Sequence, residues 1–413
     1  MIIENVISQH AEESAFLWLI RDSAVNEPSY TLEDLAHLEE QVDAHLDGLY
    51  VAGNAGWLLC KSALKQAESG EVFTASYTAI NNSKQEWLDH TIEVVASAPE
   101  TIRGIVSALG WLPNEKLRGL IVNWLQSDDS FLRLTGISAC AINRIDCKDY
   151  LIKGIHDTNT ALCARALRCV GELRRKDLLP AVSEHLESED ISCRFWAAWS
   201  ATLLGDTEGL SVLQSFFEIE SRFRQPSLLL GLRVMDKANA VNWVKEHTRK
   251  SGYERAIIEA TGIVADPVTI PWLISLMQNP EFSRLAGESF TMITGVDLAY
   301  EDLDGDQPEG FEVGPTENPE DEDVAMDPDE ELPWPDCEKV SDWWSQNDAR
   351  FTVGERYLCG QPITRDQCVN VLKNGYQRQR RAAAIELALI NQNEPLFNCS
   401  ATAKEQMRLL GLT

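Results

Sequence analysis

The sequence predicts an all-α protein whose middle is a solenoid of paired helices, and three observations carry that expectation. Arginines recur at Arg103, Arg133, Arg165, Arg194, Arg224, Arg255 and Arg284, at intervals of 29 to 32 residues. A fixed period of this size marks stacked helical repeats, each too small to bury both of its apolar faces alone. Between the arginines, pairs of apolar runs with helical spacing are separated by polar turns. Punctuation agrees: Pro180 and Pro271 sit where a first helical turn tolerates proline, and Gly171, Gly205 and Gly262 sit where a helix can stop.

Residues 1–95 read as an N-terminal helical region outside the strict period. Thr31 and Asp34 form a capping-box pattern that opens an amphipathic helix carrying Leu35, Leu38, Val42 and Leu46 on one side. The segment 45–57 mixes three glycines with large apolar residues, which suits a tight turn between closely approaching helices. A phosphate cradle there would need a Gly-Lys-Ser/Thr ending and a strand before it, and the segment offers neither.

Residues 96–295 are the repeat array, expected as helix pairs in a right-handed curved stack. First helices are read at 120–125, 150–155, 179–186, 210–217, 241–244 and 270–277. Second helices carry Leu134, Ile137 and Ala141, then Leu162, Ala166 and Cys169, then Phe195, Trp199 and Leu203 at core-facing spacing. Asp129, Asp190 and Glu220 each precede an arginine by four residues, so acid and guanidinium can cap a helix and tie adjacent repeats. The competing reading, a line of arginines gripping phosphates, gives only one cation per repeat in a strongly acidic chain.

Residues 296–337 form an acidic, proline-rich insertion. From 296 to 336 there are 17 Asp and Glu residues, no Lys or Arg, and six prolines that forbid a long helix. The expectation is an extended or partly disordered segment, dispensable for folding and used in partner binding. Its candidate partner-binding residues are Asp302, Asp304, Asp306, Glu320, Asp321, Glu322, Asp323 and Trp334, with Trp343 and Trp344 just beyond. Asp302, Asp304 and Asp306 alternate like the start of a calcium loop, but the sixth and twelfth positions are Gln307 and Val313 where Gly and Glu are needed. Residues 338–413 read as a C-terminal helical cap with a polar outer face.

The 413-residue chain sets 36 Lys and Arg against 65 Asp and Glu, a net charge of −29. Such a field repels nucleic acid and anionic lipid, so the expected partner is a protein with a basic surface. No run of about eighteen apolar residues suggests a membrane span, and the N-terminus lacks a basic leader. The ten cysteines contain no C-x-x-C pair and several sit on apolar helix faces, which predicts reduced thiols and a cytoplasmic location. Nothing in the sequence sets an oligomeric state.

The repeat period and its paired helices resemble the HEAT-like family of helical repeats in its short bacterial form. A finer resemblance rests on SAFLW at 14–18, HLDGL at 45–49, the glycines and Trp of 53–57, FTMITGVD at 290–297, LPWPD at 332–336, Trp343-Trp344 and the 351–360 loop. Together these are similar to a proteobacterial family of HEAT-repeat proteins often encoded near type VI secretion components. That resemblance implies an accessory, effector-loading or immunity-like role and carries over no functional residues.

Chemistry is sparse. The seven histidines are scattered without H-E-x-x-H or other metal spacing, and there is no G-x-S-x-G elbow, Walker loop or dinucleotide fingerprint. The chain therefore reads as a non-enzyme without cofactor or metal, a scaffold or adaptor. The alternative is a HEAT-like nucleic-acid binder or base-modifying enzyme, which would need the basic concave face that this composition disfavours.

Overall fold

The structure, a computed structural model, describes residues 4–311, 314 and 326–412. By its internal contacts the chain separates into two compact units. One comprises Met1–Asn26, Tyr30–Leu213 and Asn391–Thr413, and the other comprises Glu27–Ser29 and Gln214–Ile390.

The first unit opens with α1 (Glu4–Ala24), α2 (Leu32–Ala52), α3 (Asn54–Ala63), α4 (Ser69–Asn81), α5 (Gln85–Ser97) and α6 (Ile102–Trp111). Helix pairs follow as α7 (Asn114–Leu125) with α8 (Ser130–Ile142), α9 (Asp149–Ile155) with α10 (Thr160–Leu173), and α11 (Leu179–Ser183) with α12 (Ile191–Leu203); α13 (Thr207–Gln214) ends this stretch. The second helices stack side by side, α6 on α8, α8 on α10 and α10 on α12, and the line runs back through α4. Thr31 accepts from the Asp34 amide while the Asp34 carboxylate accepts from the Thr31 amide, so the capping box is complete. Asp129, Asn159 and Asp190 cap α8, α10 and α12, each side chain accepting from one amide of the first turn.

The arginine ladder is structural in this unit. Arg133 donates to the Ser127 and Asp128 carbonyls at 2.9 and 2.7 Å and to Asp157 at 2.7 Å, clamping its own turn to the turn of the next repeat. Arg194 donates to the Ser188 carbonyl at 2.8 Å. The glycine expectation divides. Gly205, at φ +96°, ends α12 as expected, whereas Gly171 and Gly262 lie inside helices. A Cβ on Gly171 would stand 2.5 Å from the Ser200 hydroxyl, so that glycine is there for close packing of α10 against α12.

The stretch expected as a single cap over 338–413 is divided between the units. After Ile390 the chain returns to the first unit as a strap that ends in the helix Ala403–Leu409. The strap uses backbone recognition: Arg144 donates to the Leu396 carbonyl at 2.7 Å, the Leu396 amide donates to Glu172 O at 2.9 Å, and Asn398 donates to Ile142 O at 2.9 Å. At its end, the buried Arg21–Glu39 pair, 2.8 Å apart, splits its remaining capacity between the Ala401 carbonyl and the Ala403 amide.

The second unit repeats the pairing with the helices Arg224–Val234, Lys237–His247, Glu254–Val264, Ile270–Leu276 and Pro280–Thr294. It continues with the helices Cys337–Asn347, Arg365–Asn374 and Gln377–Ile390 and a two-stranded hairpin, β1 (Tyr357–Leu358) against β2 (Gln361–Pro362). Its core gathers Ile258, Leu273, Phe290, Ile293, Val340 and Tyr357.

The acidic stretch departs from its expectation. Leu298, Leu303 and Leu332 are buried, the Gly305 amide donates to Trp334 O and the Asp336 amide to Leu303 O, both at 2.8 Å. The described part of the stretch is thus folded back on itself and packed. The reason is that its few apolar side chains and two of its aspartates meet the core and the last two ladder arginines.

Candidate functional site

Those two arginines fasten the acidic loop that closes the site. Arg255 grips Asp329 with two parallel bonds of 2.8 and 2.6 Å, and Arg284 donates to the Asp329 carbonyl at 2.9 Å and to Asp327 at 2.6 Å. The Arg284 guanidinium also lies 4.4 Å from the Trp334 ring centre, and Phe311 meets that indole edge-on. A second set of contacts comes from the start of the Gln377–Ile390 helix, where Arg378 donates to Glu288 at 2.8 Å and Tyr376 donates to Asp297 at 2.7 Å.

The Arg378 and Tyr376 contacts border a cavity of ≈ 430 Å³, whose lining among the described residues falls within the second unit. The helix Pro280–Thr294 supplies Glu288, Thr291 and Met292, one face at helical spacing. Gly295, at φ +73°, stops that helix and turns the chain so that Asp297, Leu298 and Ala299 form the next side. Glu330, Glu331, Leu332 and Pro333 of the folded acidic loop close it, and Ser29 donates to Glu331 at 2.9 Å. The lining mixes apolar side chains with four carboxylates, and among the described residues Arg378 is its one cation.

The charge is uneven. Burial pushes the Glu288 carboxyl above its ordinary value, against the pull of Arg378. Burial also raises Glu259, and the nearby Glu288 adds to it, while Arg255 and Arg378 pull the other way.

The sequence-derived candidates fall in different places. Asp302 and Asp306 are exposed, and Asp304 is half-buried with its carbonyl taking a bond from Lys339 at 2.8 Å. Among the described residues no group of three His, Cys, Asp or Glu side chains is placed to hold a metal ion. Glu320, Asp321, Glu322 and Asp323 lie outside the described residues. Trp334 faces Arg284, whereas Trp343 packs edge-on against Phe290 and Trp344 against Phe351, both in the core. Sequence reading missed Glu288 and Tyr376 and did not bring Asp297 or Arg378 to this site, where contacts join residues some eighty to ninety apart in the chain. The one signal for them was the FTMITGVD segment, which supplies three lining positions.

A family profile described as HEAT repeats matches residues 149–226. The match covers the pairs α9–α10 and α11–α12 and runs on past α13. The fold is an all-α solenoid of HEAT-like repeats. No curated protein matches the chain. Such repeats are typically protein-interaction scaffolds, and no helix among the described residues is long and apolar enough to cross a membrane.

Proposed function

We propose that this protein is a non-catalytic protein-binding scaffold or adaptor that recognises a basic partner, and that it serves a type VI secretion system as an accessory, effector-loading or immunity-like protein in the cytoplasm. The observation that carries the binding part is the cavity of the second unit, lined by four carboxylates among apolar side chains. Apolar lining offers desolvated contact and its carboxylates offer charge steering. The net charge of −29 argues for a basic protein over nucleic acid. The secretion-system role rests on the family resemblance, and the cytoplasmic one on ten free thiols, eight of them buried.

The test is affinity capture of the tagged chain from its native cells, followed by cross-linking and identification of the retained protein. The expected result is a basic secretion component or effector that is lost as salt rises. Retention of duplex DNA at low salt, or of nothing beyond a tag control, would overturn the reading.

A further inference from the structure

We infer that the contact between His10 and His45 is a proton-operated latch that holds the first half of α1 on α2 at neutral pH and releases it in acid. This stands apart from the scaffold reading and does not rest on it. The two Nδ1 atoms are 3.2 Å apart, with the rings edge-on and their centres separated by 5.2 Å. A hydrogen bond between two imidazole nitrogens needs one Nδ1 that carries hydrogen and one that is bare, so the pair can hold one positive charge and keep the bond. A second proton puts hydrogen on both Nδ1 atoms. The bond is then lost, and two imidazoliums repel each other across the helix contact.

The local fold leaves that repulsion little relief. A Cβ on Gly48 would stand 2.6 Å from the His10 ring, so the imidazole lies directly on the α2 backbone one turn beyond His45. Ile7, Ala11 and Ser14 are buried to either side of His10 on α1, as are Leu46 and Leu49 on α2, and parting the rings exposes that packed surface. Burial, and then the charge of His10, hold the His45 imidazole below its ordinary value against the pull of Glu13, one turn after His10. The other charged groups nearby are engaged elsewhere. Asp43 takes the Trp111 indole N–H at 2.6 Å and faces Lys404 of the helix Ala403–Leu409, where Glu405 and Arg408 pair with each other. The charge of Asp47 falls on Asp43 and on Tyr77 of α4, and Glu12 accepts from Ser8. The packed helices α3 and α4 add Lys61, which is exposed and positive, and Glu71, which has Glu68 for its charged neighbour. A base whose charged form the fold disfavours lowers stability as it protonates, so the latch is closed above pH ~6.5 and weakens as pH falls below it.

The experiment is amide hydrogen exchange of the full chain, read by mass spectrometry at about pH 7.5 and about pH 5.5 and corrected for intrinsic rates, with a nuclear magnetic resonance titration of the histidine rings. The variants are His10→Gln and His45→Gln, with His37→Gln as the control on an exposed histidine of the same helix. Expected in the wild type is exchange about tenfold faster in acid over residues 4–13 and 45–52, with the first turns of α2 unmoved. His10→Gln and His45→Gln should each abolish that pH dependence, and His37→Gln should keep it. The same acid response in all four proteins, or none in the wild type, would overturn the latch. Should either latch variant lose its α1 protection at both pH values, the wild-type ring titration decides: the two histidines moving together in two steps supports the latch, and each moving independently in one step overturns it.

Discussion

Arg255 and Asp329, seventy-four residues apart, face each other through two hydrogen bonds of 2.8 and 2.6 Å. A repeat arginine is thereby satisfied by the acidic loop and not by the turn of a neighbouring repeat, as Arg133 is by Asp157. The Asp329 side chain is 4% exposed, so the loop is fastened to the array by an ion pair whose carboxylate is buried.

Breaking that pair should destabilise the second unit. Asp329→Asn removes one charge and leaves Arg255 partly buried, at a cost of about 3 kcal/mol, the low end for a buried pair because Arg255 keeps solvent contact. Urea unfolding followed by circular dichroism measures it. A change under about 0.5 kcal/mol, the range of ordinary surface substitutions, would show that the loop is only laid on the surface.

Acid stability should report Glu172. Burial raises its carboxyl, but the guanidiniums of Arg165, Arg168 and Arg144 outweigh burial and hold it at about 2. A carboxyl depressed in the folded state contributes stability that is present above its unfolded value and lost as pH falls toward 2, here about 3 kcal/mol. Glu172→Gln should lower stability at neutral pH and flatten the acid limb of a stability-against-pH curve between pH ~5 and ~2. An unchanged limb would move the acid sensitivity to other carboxylates.

Gly295→Ala should open the site from below. Its φ of +73° disfavours any side chain, and a Cβ would come within 2.6 Å of the Cys359 carbonyl, in the turn that bonds to Met292 and Ile293. Strained backbone and overpacking together should cost about 2–4 kcal/mol. Thermal unfolding measures the loss, and a wild-type melting temperature would contradict the packing described.

Thiol chemistry should follow burial. Burial pushes Cys60 and Cys359 up to about 12, so neither offers thiolate at neutral pH. Of ten free cysteines only Cys337 and Cys359 are not fully buried. Native protein treated with iodoacetamide should therefore label Cys337 first and the eight buried thiols only after denaturation, as peptide mass spectrometry would read. Fast labelling of Cys60 in the native state would refute the packing of the first unit.

By itself the sequence determined the helices, their pairing and their caps, because these depend on neighbours in the chain. The near-thirty-residue spacing of the arginines, Asp129 and Asp190 before their helices, and Thr31 with Asp34 are all local signals, and all are read without knowing what lies opposite. What only the tertiary structure decided is where distant segments meet. Composition cast the acidic stretch as a solvated insertion, since charge and proline are counted without partners; Arg255 and Arg284 waiting in the array, together with burial of Leu303 and Leu332, fold its described part instead. Gly171 read as a stop because a glycine's meaning depends on the helix packed against it. The cavity was hidden for the same reason: Glu288 and Arg378 are ordinary helix residues until the chain brings them within 2.8 Å, where desolvation gives one carboxylate a strength that composition cannot express.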